Sequence, residues 1–218
     1  PRRNLELDTL SGVLSGEILV QNHCYRADEM ANMIELSKEF NYKITAFHHA
    51  VEAYKIADLL ADEGICGALW ADWWGFKHEA YDMVPANIAI VDQARSGKGC
   101  AIVHSDDEVG IQHLNQEAAK ALSAGLRAGY EISKARAIKW ITSNPAKAAG
   151  ILDQTGTIEI GKDADLVIWS KNPFSVYALA EYVFIDGAEA FVRGEKQTQP
   201  VTDFDLGIIN PSDERASL

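Results

Sequence analysis

Three short stretches carry side chains with chemistry to offer: Asn22-His23-Cys24, Phe47-His48-His49 and His104-Ser105-Asp106-Asp107. Imidazole and carboxylate are ligand types for zinc and similar borderline divalent metals. Such an ion needs at least three protein ligands on rigid elements, and two histidines with an aspartate meet that number. The aspartate can also serve as general base on a water that the metal acidifies toward neutral pH. Each signal has a plainer reading alone. A histidine at a strand end is commonly a hydrogen-bonded rim residue, and Asp106 could cap a helix, as could Ser105 or Asp107. Spacing links them: 26 residues separate His23 from His49, and 57 separate His49 from Asp106.

The elements that must position these residues are legible around them. Each stretch follows a short run of small or β-branched apolar residues: Glu17–Val20, Lys43–Ala46 and Cys100–Val103. Runs of this kind are expected as buried parallel strands. Polar side chains at the carboxyl ends of such strands are where α/β barrels and open α/β sheets do chemistry. A βα unit of an eightfold barrel takes roughly 30 residues, so the three points fall on strands n, n+1 and n+3. Between them, Ala27–Phe40, Glu52–Glu63 and Ala86–Arg95 have helical apolar spacing, and Ile65–Trp70 reads as another strand. Strand and helix in alternation predict parallel βαβ architecture with right-handed crossovers. Two helices, about Ile111–Gly125 and Glu131–Ser143, and a closing helical turn over Asn144–Gly150 are expected after Asp107. From Thr155 the texture turns to antiparallel β, with a hairpin expected from Tyr182–Gly187 and Ala190–Gly194. The tail past Pro200 has little pattern and is expected to be extended or disordered.

Bulk properties narrow the class. The 218 residues carry 47% hydrophobic and 24% charged side chains, the balance of a soluble globular protein. A formal charge of −12 argues against nucleic acid and against an anionic membrane surface as partners. No apolar run approaches the roughly 20 residues that span a bilayer, and no amino-terminal signal pattern is present. The chain starts at Pro1, which suggests a piece of a longer protein. The compartment stays open: cytoplasmic, or periplasmic or secreted if an upstream signal exists. Cys24, Cys66 and Cys100 are odd in number and lie in or beside expected strands, so buried free thiols of a reduced protein are expected. Ser96-Gly97-Lys98-Gly99 lacks the spacing of a phosphate loop and precedes a strand, so it is set aside.

Ala71–Asp82 (ADWWGFKHEAYD) crowds four aromatics with His78, Lys77, Glu79 and two aspartates behind a strand. It reads either as an aromatic cap on the rim or as a wall of the substrate pocket. Arg26, Trp73, Trp74, Lys77, His78 and Glu79 are the candidates for substrate contact.

The run from His23 to Gly194 resembles the carboxyl-terminal half of the amidohydrolase superfamily, in particular its imidazolonepropionase-like and Xaa-Pro dipeptidase-like members. The resemblance rests on His23–Glu29 (HCYRADE), His49–Lys55 (HAVEAYK) and Ser105-Asp106-Asp107. Downstream it rests on Glu117–Ala121 (EAAKA), Thr142–Lys147 (TSNPAK) and Gly156–Val167 (GTIEIGKDADLV). It implies strands 5–8 of a (β/α)8 TIM-like barrel over residues 1–150, part of a flanking β-sandwich over 151–200, and a tail over 201–218. It further implies His23, His49 and Asp106 as ligands of one or two divalent metals, zinc foremost, with Asp106 also the catalytic proton shuttle. His49 is preferred over His48 by its spacing to Glu52-Ala53-Tyr54-Lys55. Adjacent strand residues point to opposite sides, so His48 is expected to pack or to support a ligand from outside.

The implied reaction is hydrolysis of a C–N bond in a small amide, cyclic amide or dipeptide-like substrate, through a metal-activated water. The family's His-x-His pair and its bridging lysine or glutamate are missing, as are the first four barrel strands. The partner most needed is therefore the amino-terminal half of the same protein, and the segment alone is expected to be inactive. A non-catalytic protein with this fold is the alternative, and a homo-oligomer stays open.

Overall fold

The structure is a computed structural model and describes residues 3–195. Asn4 opens the first helix, α1 (Leu5–Ser15), by accepting the backbone N–H groups of Glu6 and Leu7 through its side chain. Gly16 closes that helix in the left-handed conformation, φ 81°. Four βα steps follow: β1 (Val20–Cys24), α2 (Ala27–Glu39), β2 (Ile44–His49), α3 (Ala57–Asp62), β3 (Cys66–Leu69), α4 (Asn87–Gly97), β4 (Cys100–Val103) and α5 (Leu114–Arg127). Two short helices, α6 (Lys134–Ala137) and α7 (Ser143–Ala149), close this part. All four strands are parallel and lie in chain order β1-β2-β3-β4, so that each pairs with the next strand in the chain.

Period-two alternation divides the sheet into two faces. Phe47, Leu69, Ala101 and Val103 face the helices and pack with Met30, Ile34, Leu60 and Ile88 in one buried core. Ala46, Cys66, Ala68, Cys100 and Ile102 form the opposite face, against Ala148. Small residues dominate that second face. The helix layer is locked at α4–α5, where an added Cβ on Gly125 would lie 2.6 Å from the Ala89 methyl.

Beyond this sheet, β5 (Leu166–Trp169), β6 (Ala180–Ile185) and β7 (Ala188–Val192) form a separate antiparallel sheet in chain order. Its hairpin turns on Asp186-Gly187, with φ 51° and 77°. That pair of left-handed residues fits the twist of the flanking strands.

Several expectations are corrected. The first strand begins at Val20 rather than Glu17, so His23 sits within it. β2 likewise extends through His49. Glu52–Glu63 is a 3-10 turn (Ala53–Ile56) followed by the short α3, not one helix. α4 loses helical geometry at Ala94, Arg95 and Ser96. Residues 156–165 contain no strand, because the antiparallel sheet begins only at Leu166. Cys66 and Cys100 are not free thiols: parallel register places them opposite each other on β3 and β4, and they are joined as a disulfide. Cys24 alone is free, and it is buried. The tail expected past Pro200 lies outside the described residues. Among the described residues, no helix is long and apolar enough to cross a membrane.

Candidate metal centre

The centre is built at the carboxyl ends of the parallel strands. Register sets His23 beside His48 and Cys24 beside His49. His49 ends β2 with φ 63°, and Ala50 follows at 36°. This left-handed corner is held from two sides. The Ala50 N–H donates to the Cys24 carbonyl at 2.9 Å, and Asn87 Nδ2 donates to the carbonyls of Ala50 and Val51 at 3.1 Å each. On the other flank, the His104 N–H continues the ladder to Leu69 O at 3.1 Å. Asp106 then turns out at φ 53°. The Asp107 carboxylate accepts the Gly110 N–H and secures the loop behind it.

The three sequence-derived ligands converge on His49. Its Nε2 lies 2.8 Å from His23 Nδ1, and its Nδ1 lies 3.5 Å from Asp106 Oδ2. The second separation is an ion-pair distance but does not make a hydrogen bond, and His49 Nδ1 is buried without a partner. His104, which the motif reading leaves unassigned, joins the group. Ligand atoms of His49, His104 and Asp106 all lie within 4.8 Å of one another, and His104 Nε2 is also buried and unpartnered. The signal for His104 was present in the alternation of β4, which puts it on the face of Cys100 and Ile102.

His48 packs beside this group. Its ring stacks on His23 at 5.1 Å and meets His104 edge-on at 5.7 Å, while Nε2 donates to Gln21 Oε1 at 2.7 Å. Both neighbours reach the cluster because His49 leaves extended geometry, so the strand rule no longer sends it to the opposite face.

Burial sets the charge state. It pushes His49 down to about 4, opposed by the Asp106 carboxylate and reinforced by His23 and Lys77. Burial also pushes His104 down to about 3, with His49, His48 and His23 adding to the effect. His48 is lowered for the same reasons, burial first and His23 next. These imidazoles are neutral at pH 7 and keep a lone pair for a metal or a proton.

Aromatic rings wall the cluster. Tyr25 and Trp70 lie on His49 at 4.9 and 4.6 Å, and Trp70 also stacks on His104 at 5.6 Å and on Trp73 at 5.3 Å. Lys77 donates to the Tyr25 hydroxyl. The other proposed substrate residues are engaged elsewhere or unconnected. Arg26 pairs with Asp28 through Nε and a terminal nitrogen at 3.0 and 3.1 Å. Trp74 stacks on Tyr81 and donates to its carbonyl, and His78 also lies against Tyr81. Among the described residues, no hydrogen bond, ion pair or ring contact joins Arg26, Trp74, His78 or Glu79 to the histidines. Tyr25 and Trp70 are the wall residues that sequence reasoning missed.

Comparison with known proteins adds to this geometry. The chain is 33% identical over 216 residues to amidohydrolase tasK of Hapsidospora irregularis, covering 92% of this chain and 21% of that protein. A 40-residue stretch is 55% identical to imidazolonepropionase of Brucella suis, covering 18% of this chain and 10% of that enzyme. An amidohydrolase from Thermotoga maritima superposes with a TM-score of 0.78 at 31% identity, over 88% of this chain and 48% of that structure. The chain thus spans half or less of these relatives. The sequence model of the Amidohydrolase family matches residues 88–200, about half the chain and the part that contains Asp106. With histidines and an aspartate gathered at the ends of parallel strands, and with that match across β4 and the antiparallel sheet, the chain belongs to the amidohydrolase family.

Proposed function

We propose that this chain supplies one side of the active site of a metal-dependent hydrolase that cleaves a C–N bond in a small amide, cyclic amide or dipeptide-like substrate. The observation that carries the reading is that His49 and His104, each with a buried, unpartnered ring nitrogen, gather ligand atoms with Asp106 within 4.8 Å of one another. An orphaned polar atom in the interior costs about 1–3 kcal/mol, and two beside one carboxylate fit a divalent cation. Nitrogen and oxygen donors suit zinc.

His23, His49, His104 and Asp106 would hold the ion. When bound, it would acidify a water and polarise a carbonyl. The chain's own residues do the rest. The Asp106 carboxylate, half-exposed, is placed to take a proton from water and return it to a leaving nitrogen. The neutral imidazoles keep the centre from repelling a cation. Trp70 and Trp73 shield it from bulk solvent.

Under this reading β1–β4 are strands 5–8 of a (β/α)8 barrel, and residues from 151 onward belong to a flanking β-sandwich. The superposition on about half of the Thermotoga structure supports that assignment. The remaining ligands would come from a further segment of the same protein. Two histidines, a third imidazole and one carboxylate do not match the full family set.

Metal analysis of the full-length protein tests the proposal. About one or two divalent ions per chain are expected, with loss of most of that metal in His49→Ala and His104→Ala. Hydrolysis of a panel of small N-acyl amides should disappear on chelation and return with Zn²⁺. Less than roughly 0.1 ion per chain would overturn the reading.

A further inference from the structure

On the sheet face formed by Ala46, Cys66, Ala68, Cys100 and Ile102, residue alternation stacks cross-strand pairs up β3 and β4. Cys66 lies opposite Cys100 and Ala68 opposite Ile102. The same two-residue step leads on to Trp70 and His104, whose rings stack at 5.6 Å. The base of this column is covalent: Cys66 and Cys100 form a buried disulfide, their Cα atoms 4.5 Å apart. Its top is the metal centre, where His104 gathers with His49 and Asp106 and keeps Nε2 buried without a partner.

The side chains that could grip the column are small. Apart from Ile102, the buried cluster on this face consists of the two cysteines and the alanines Ala46, Ala68 and Ala148. Dispersion contact grows with the number of atoms that touch, so methyl groups resist sliding only weakly. Just above β4, the His104 N–H donates to the Leu69 carbonyl at 3.1 Å, and beyond it the chain turns out to Asp106. His104 thus sits where sheet hands over to loop. A disulfide tolerates a narrow range of Cα separations and Cβ directions. It therefore fixes both the spacing of β3 and β4 and their slide along each other.

We propose that the Cys66–Cys100 disulfide is a positioning element of the metal centre. It holds β4 against β3 so that His104 stays on Trp70 and presents Nε2 to a divalent ion, and opening it weakens the ion's hold. The metal's part in this rests on the hydrolase reading above, whereas the placement of His104 needs only this chain's residues.

Two readouts on the full-length protein test the proposal. With isotope-labelled histidine and no metal, NMR reports the His104 ring signal, identified by its loss in His104→Phe. Cobalt(II) is the divalent probe, and its visible absorption reports affinity. The pair Cys66→Ala, Cys100→Ala removes the bond and some volume. The pair Cys66→Ala, Cys100→Val removes the bond and keeps most of the volume. Leu122→Ala, a core truncation in α5, controls for lost stability. Both bond-free pairs should shift the His104 signal and weaken cobalt binding at least about tenfold, the lower end of what lost support behind a ligand costs. Leu122→Ala should do neither. Reduction of wild type should reproduce both changes once all three cysteines alkylate. There dithiothreitol breaks the S–S bond, gives two electrons and two protons to the sulfurs, and closes to its own cyclic disulfide. An unmoved His104 signal in the bond-free proteins, wild-type cobalt affinity when volume alone is restored, or equal losses in Leu122→Ala would sink the proposal. Wild type that takes up no cobalt would instead discard the metal reading, and the His104 signal would still decide the placement.

Discussion

His49 ends β2 and Asp106 follows three residues after the end of β4, two strands that are not neighbours, yet both residues are left-handed, at φ 63° and 53°. Their side chains meet at 3.5 Å between Nδ1 and Oδ2. Left-handed backbone is uncommon for residues with a Cβ, and where the surroundings hold it the cause is usually functional. Asn87 and the Cys24 carbonyl hold the corner at His49, and the Asp107–Gly110 bond holds the loop after Asp106. The backbone is bent at both places, and the bend delivers two ligand-type side chains to one point.

Asp106→Asn should separate chemistry from fold. Asparagine tolerates left-handed φ as readily as aspartate, so the melting temperature should stay within about 2 °C of wild type, a shift smaller than about 1 kcal/mol. Amide hydrolysis by the full-length protein should fall by about 10²–10⁴, the usual contribution of a positioned general base. Unchanged turnover would remove Asp106 from the mechanism.

Acid should weaken the metal-free protein. Imidazoles in the unfolded chain take up protons near pH 6.5, whereas His49 does so only near 4 and His104 near 3. Between those values the unfolded state holds more protons. The stabilisation from the neutral pair is complete above pH 6.5 and is lost as pH falls through the window below it, by at most about 1.4 kcal/mol per pH unit for each group. Urea unfolding of chelator-treated protein at pH 7.5, 6.5 and 5.5 gives the slope. His104→Phe should flatten it, and an identical slope in that variant would contradict the assignment.

Thiol chemistry distinguishes Cys24 from the other two. Denatured, unreduced protein should take up a single alkylating label at Cys24, and three labels after reduction. In the folded state Cys24 should react slowly, because burial, with Glu29 beside it, pushes its thiol up to about 11. The Cys66–Cys100 bond closes a 34-residue separation, so the Cys66→Ala, Cys100→Ala double variant should lose about 2–4 kcal/mol. Three labels without reductant would show that the pair is open.

Asp92 is the structural carboxylate of the helix layer. It is fully buried and accepts Arg136 Nε at 2.9 and 3.0 Å and Trp140 Nε1 at 2.8 Å. Arg136 also donates to the carbonyls of Asp92 and Gly97 at 2.9 and 2.7 Å, tying down the left-handed end of α4. Asp92→Ala should cost about 3–5 kcal/mol, because it strands a partly buried guanidinium. A urea midpoint within error of wild type would contradict this.

The sequence by itself determined the parallel βα alternation, the helix over residues 27–39, the Asp186-Gly187 hairpin and the three stretches that hold the centre. Those features are local: apolar period, glycine or asparagine at a stop, and β-branched runs survive as one-dimensional patterns. Tertiary structure decided what depends on register and on backbone that departs from ideal geometry. Strand alternation assigns one of two neighbouring histidines to the site, but the left-handed corner at His49 brings both to the cluster. Register paired Cys66 with Cys100, which no spacing rule specifies across 34 residues. The fold also chose among the crowded loop residues, setting Lys77 and Trp73 by the histidines and Trp74 and His78 on Tyr81. Side-chain direction on an irregular loop depends on which rings it meets, and those rings come from strands far away in the chain.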